Sequence, residues 1–149
     1  MLPAMDFEKI RHLFEQEIPF NRLLGVCLLT LEPGRAVSEV PFREELVGHP
    51  HRRALHGGVL SAVADAMGGL ALGTVVGGED LPLSTIDLRV DYLRPGRLEA
   101  LVVEATVLRA GRSVGVADVR MFQRSAEADL VASARAVYAI RRGDRGGVR

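Results

Sequence analysis

At 149 residues the chain has the size of one domain, and a domain of that length buries about 70% of the surface its unfolded form exposes, so a single core is enough. Its 19 basic and 19 acidic side chains cancel, which removes the electrostatic reason to expect nucleic acid or an anionic membrane as a partner. The start, Met1-Leu2-Pro3-Ala4-Met5-Asp6, lacks the basic residues and apolar stretch of a secretion signal, and one cysteine permits no intrachain disulfide; a cytoplasmic location is the expectation.

Over 6–18, Phe7, Ile10, Leu13, Phe14 and Ile18 recur at three- and four-residue steps with Glu8, Lys9, Arg11 and Glu15 between them, a spacing that predicts one amphipathic helix. Apolar runs over 23–31 and 36–42, separated by Glu32-Pro33-Gly34-Arg35, predict two strands in a hairpin. Cys27, inside Val26-Cys27-Leu28-Leu29, reads as a buried inert thiol. A polar loop over 43–55 carries His49 and His51 and leads to His56.

From 57 to 78 one residue in 22 is charged, Asp65. An acid at a bilayer centre costs about 2.5 to 3.5 kcal/mol, so the segment reads as a buried helix that opens at Gly57-Gly58, runs to about Thr74 and is ended by Gly77-Gly78. Beyond it the period becomes two, with Ile86, Leu88, Val90 and Tyr92 on one face and Thr85, Asp87, Arg89 and Asp91 on the other. Strands over 98–109, 113–124 and 129–141 follow, and links as short as Ala110-Gly111-Arg112 predict antiparallel neighbours. The Gly-rich charged segment 142–149 is predicted to be a flexible tail. The fold class is therefore α+β, an antiparallel sheet of about six strands with one long buried helix, in a single domain over 1–141.

Helical projection of the central segment puts Val59, Val63, Ala66, Met67, Leu70 and Thr74 toward the sheet. The other side holds Ser61, Asp65, Gly68 and Leu72, flanked by Gly69. Small residues there predict a cover other than water: a second copy of the chain, or close packing of Gly68 and Gly69 within the monomer. Asp65 needs a partner or a task, because an unpaired carboxylate away from water carries a heavy desolvation cost. A salt bridge to Arg89 or Arg94 is the structural alternative.

His56-Gly57-Gly58 with an acid nine residues after the histidine, followed by Ser84-Thr85-Ile86-Asp87-Leu88-Arg89-Val90-Asp91-Tyr92-Leu93-Arg94-Pro95, resembles the hotdog-fold acyl-CoA thioesterases related to those of phenylacetate and 4-hydroxybenzoate metabolism. The resemblance spans roughly 20–140. It implies a sheet wrapped around the central helix, hydrolysis of an acyl-CoA, and a homodimer or dimer of dimers. No cofactor is implied beyond the coenzyme A that forms part of the substrate. Gly57 then donates to the thioester oxygen, while Asp65 of the opposite subunit acts as general base or nucleophile and Thr85 places a hydroxyl beside the attacking water. Where the family has Asn or Gln six residues before the histidine this chain has Pro50, and the resemblance then points to His49, one residue earlier, for that place.

The residues offer matching chemistry. Gly57 and Gly58 open a helix whose first N–H groups are free to polarise a carbonyl. His56 is expected to fix the loop, and with Gly58 it belongs to the substrate-binding region. Arg94, Arg109 and Arg112 lie at strand ends or turns, where they suit coenzyme phosphates or are solvated turn charges, Arg94 and Arg112 being the candidates carried forward. His49, His51, His56 and Asp65 fit no compact metal-ligand spacing, so no metal is expected. A non-catalytic acyl-CoA-binding module and an enoyl-thioester hydratase are the rival functions; the hydratase would need a paired His and acid that this sequence does not offer.

Overall fold

The computed structural model describes residues 6–77 and 82–141; the tail 142–149 and the Gly78 half of the predicted helix stop lie outside them. Asp6 caps the first helix, α1 (Phe7–His12), by accepting from the N–H groups of Glu8 and Lys9 at 3.2 Å each. A wider turn over Leu13–Glu17 carries it to Ile18, whose backbone is extended. The single helix expected over 6–18 ends there because Pro19 disfavours a helical conformation in the residue before it. Pro19 instead opens α2 (Pro19–Leu24), which stops at Gly25 in the left-handed conformation, φ 71°.

Leu23 and Leu24 therefore belong to a helix, and the strand expected over 23–31 shrinks to β1 (Cys27–Glu32). Leu28 points into the core while Leu29 stays open. Cys27 takes the outward side of that alternation and is exposed, which corrects the buried thiol read from its apolar neighbours.

The other strands are β2 (Arg35–Val40), β3 (Leu83–Tyr92), β4 (Leu101–Ala110), β5 (Val114–Phe122) and β6 (Ala132–Ile140). All pair antiparallel in the order β1-β2-β4-β5-β6-β3. Short links keep β4, β5 and β6 adjacent. β3 crosses to the far side of β6 and becomes an edge.

The long helix α3 (Gly57–Val76) lies along the concave side of this sheet, the hotdog arrangement. It is apolar enough to cross a membrane by composition, yet 61% of its most apolar window is buried inside this chain. Val63, Met67, Leu70 and Leu72 are among the least exposed side chains.

The sheet curls far enough to enclose part of the face expected to meet a second copy. Leu72 packs so closely on β5 that a Cβ at Gly115 would lie 2.4 Å from it, and Gly68 faces Tyr138 and Ala136 of β6. Gly68 and Leu72 thus pack within the monomer. Ala66, expected against the sheet, is only half-buried, and the more open stripe runs Gly58, Ala62, Asp65, Ala66, Gly69.

β3 departs from strict alternation. Thr85 pairs with Tyr138 but Asp87 pairs with Val137, so Ile86 is an extra residue in a bulge. The bulge restarts the alternation. Thr85 consequently shares the helix side with Leu88 and Val90, while Ile86, which strict alternation puts on the face of Leu88 and Val90, is 59% exposed.

Candidate active site

The start of α3 is built by the segments around it. His56 N–H donates to the Leu46 carbonyl at 2.8 Å, and Leu55 N–H to that of Gly96 at 3.1 Å, fixing the direction in which the chain enters the helix. His56 is the N-cap, its Nδ1 accepting from Gly58 N–H at 2.8 Å. The histidine thus fixes the loop, and it occupies the N–H of Gly58.

The Gly57 N–H is left as the donor with no acceptor among the described residues. A Cβ at Gly58 would lie 2.8 Å from His56 Nδ1, and one at Gly57 would lie 3.2 Å from Tyr92 Cε1. A side chain at 58 would displace the capping imidazole, and one at 57 would need the Tyr92 ring to give by a few tenths of an ångström. Tyr92, which sequence reasoning treated only as a strand residue, lays its ring on Gly57 and donates its hydroxyl to the Gly57 carbonyl at 3.3 Å. No local pattern signals that contact, because it joins the end of β3 to the start of α3.

Two turns along the helix, Asp65 meets Thr85, whose Oγ1 donates to Asp65 Oδ1 at 2.7 Å. The salt bridges considered for Asp65 do not form: Arg89 pairs with Asp91 at 3.1 Å, and Arg94 reaches Asp129 at 3.7 Å and the Leu130 carbonyl at 3.2 Å. Asp65 has no ion-pair partner among the described residues. One carboxylate oxygen is held by Thr85, and the other has no hydrogen-bond partner among the described residues. Below it, Tyr138 Oη donates to the Asp65 main-chain carbonyl at 2.6 Å. Burial first, and the charge of Asp65 second, push the Tyr138 phenol well above the usual tyrosine range, against the opposing Gly69 N–H. It remains a donor at neutral pH.

The remaining candidates are dispersed. His49 sits on an exposed loop tip, where its Nδ1 accepts from the N–H groups of His51 and Arg52 at 3.2 and 3.3 Å. Within the chain it has no hydrogen bond to Asp65 or Gly57. Arg94 lies near the helix N-terminal end of the sheet, whereas exposed Arg112 lies in the β4–β5 turn at the opposite end, beside the strand ends that pair Val114 with Ala139. One monomer cannot bring both to the same phosphate. Among the described residues no group of three or more His, Cys, Asp or Glu side chains converges.

With the helix opening and the carboxylate in place, the comparisons with known proteins point one way. The Thioesterase superfamily model matches residues 53–128, which include Gly57, Asp65 and Thr85. The chain belongs to this superfamily. It is 34% identical to the medium/long-chain acyl-CoA thioesterase YigI of Escherichia coli over 145 residues, covering 88% of this chain and 91% of YigI. A thioesterase-superfamily protein from Shewanella oneidensis aligns with a TM-score of 0.81 at 30% identity, over 90% of this chain and 94% of that one. A variant of the phenylacetic acid degradation protein PaaI from Thermus thermophilus aligns with a TM-score of 0.72 at 28% identity, over 83% and 99% of the two chains. Superfamily membership agrees with the resemblance carried by the His56-Gly57-Gly58 and Ser84–Pro95 segments, and the fold is theirs.

Proposed function

We propose that this protein is an acyl-CoA thioesterase in which Asp65 activates the attacking water and the Gly57 N–H stabilises the oxyanion. The observation that carries the mechanism is a carboxylate without an ion-pair partner among the described residues, oriented by Thr85 on an open stripe of small side chains. As water attacks the thioester carbon, its proton passes to Asp65 and the carbonyl π pair moves onto oxygen, where Gly57 N–H and the positive end of α3 oppose the charge. When the carbonyl re-forms, the C–S pair leaves with sulfur, and the Asp65 proton neutralises the thiolate. The products are a carboxylic acid and coenzyme A.

The site takes Gly57 from one protomer and Asp65 from another. Within one chain they stand eight residues apart on α3, roughly 12 Å along the axis at 1.5 Å per residue. The bridge from N–H through carbonyl and water to carboxylate bends at the carbon under attack and spans less than that. Edge strand β3, bearing Thr85 and exposed Ile86 beside the open stripe of α3, offers unpaired backbone groups to a second copy. The similarity to YigI supports a medium- or long-chain acyl group.

Two measurements test this. Asp65→Ala should lower thiol release from acyl-CoA by about 10²–10⁴, the usual contribution of a general base, while the fold stays intact. Gly57→Pro removes the donor but suits the first helical position, and should cost about 10²–10³. Mixing the two dead variants should restore activity, because one site of the mixed dimer then has both groups. No restoration, with exchange of subunits verified, rules out the shared site; thiol release by Asp65→Ala at the wild-type rate rules out the base.

A further inference from the structure

Gly68, Gly69 and Tyr138 take no part in the reaction as written, yet they meet against α3 beside Asp65. Tyr138 is 2% exposed, and its hydroxyl reaches the Asp65 main-chain carbonyl. In a regular helix that carbonyl faces the N–H four residues on, which is Gly69. A Cβ at Gly68 would lie 2.5 Å from Tyr138 Oη, and one at Gly69 would lie 3.4 Å from Tyr138 Cε1. The phenol oxygen can come this close to the helix backbone only because Gly68 has no side chain, whereas a Cβ at Gly69 would make ordinary contact with the ring.

Each feature is locally unfavourable. Glycine is a poor residue for a helix interior, and a buried hydroxyl needs a partner that phenylalanine would not. Together they give a fixed contact between α3 and β6 at the level of the carboxylate. The same level is held from β3: Thr85 is the cross-strand partner of Tyr138, the Ile86 bulge sits next to it, and its hydroxyl bonds Asp65 Oδ1. Asp65 is therefore gripped by its main chain from β6 and by its side chain from β3, by two residues that face each other in register.

We propose that Tyr138 is a positioning residue for Asp65, setting with Thr85 the height and rotation of α3 that aim the free carboxylate oxygen at the water. The inference rests on Asp65 as the activating group. Tyr138 touches no reacting atom. It acts through the Asp65 backbone, and the missing side chain at Gly68 admits it.

Tyr138→Phe keeps the ring and removes the bond. It should lower kcat about ten- to a hundredfold, the scale on which a misplacement near 1 Å is felt, with KM nearly unchanged. Thr85→Val should also lower kcat, and the double variant should lose less than the product of the single losses, because both act on one carboxylate. Gly68→Ala should damage folding or kcat in the wild-type background and do less harm beside Tyr138→Phe, where the oxygen it strikes is gone. Wild-type kcat in Tyr138→Phe, losses that multiply independently, or no relief of Gly68→Ala would each overturn the proposal. Asp65→Asn measured alongside separates the two levels. Turnover retained by Asp65→Asn would count against Asp65 itself, whereas a dead Asp65→Asn beside an unimpaired Tyr138→Phe would remove only the positioning role.

Discussion

The two edges of the sheet are treated in opposite ways. At β1 the edge is met at Leu28 by the chain's own N-terminal segment: Glu15 Oε1 accepts the Leu28 N–H at 2.6 Å and Arg11 donates to the Leu28 carbonyl. The strand is six residues long and its pairing with β2 is irregular between Leu28 and Thr30. At β3 the edge runs ten residues, with no backbone hydrogen bond from its outer side to another described element. Its helix-facing side bears the hydroxyl that holds Asp65. An unprotected edge invites pairing with another chain. One edge is met at Leu28 by the chain's own N-terminal segment, and the other is the edge the proposed dimer would use, beside Thr85 and Asp65.

The sharpest way to break this comparison is Ile86→Lys, which places a charge on the open edge. If β3 joins two copies and each site draws on both, dissociation should remove the Gly57 donor from every Asp65. Activity should then fall by about the 10²–10³ of a lost oxyanion donor, in step with a halved mass by light scattering. A fully active monomer would end the shared-site reading. At the closed edge, Glu15→Ala should cost about 1–3 kcal/mol by leaving the Leu28 N–H without its charged acceptor. Urea titration should register that loss, and kcat at low temperature should be unaffected.

Two smaller effects sharpen the picture. Because the Tyr138 phenol titrates higher in the folded chain than its ordinary value of 10.0, its stabilising contribution is complete below about pH 10 and is lost as pH rises from there toward the folded value. Urea midpoints followed above about pH 9 should fall less steeply in Tyr138→Phe than in wild type. Smallest of all, Cys27→Ser on the outward face of β1 should change stability by no more than about 0.5 kcal/mol. A larger loss would mean that Cys27 packs against something at the closed edge.

Most of what the sequence misjudged lies where local pattern and topology disagree. The apolar run Leu23-Leu24 predicts strand because hydrophobicity alone does not distinguish a short helix from a buried strand, and in the fold Gly25 separates the helix from β1. Strict alternation put Thr85 opposite Leu88, and a bulge is invisible to a period-two reading. Tyr138 carried no signal at all. Its contact with α3 depends on the missing side chain at Gly68, 70 positions earlier, and only the β6 register brings the two together.

The sequence by itself determined the α+β class, the long central helix, the glycine opening after His56 and the lone acid on the small-residue side, because these follow from periodicity, backbone chemistry and the high cost of burying a charge. Tertiary structure alone decided that β3 pairs with β6 at an edge and that Gly68 and Leu72 turn inward. It also decided that Asp65 is held by Thr85 rather than by an arginine. Those features depend on contacts between segments far apart in the chain. The sheet's curl and register set them, and neither leaves a local trace in the order of residues.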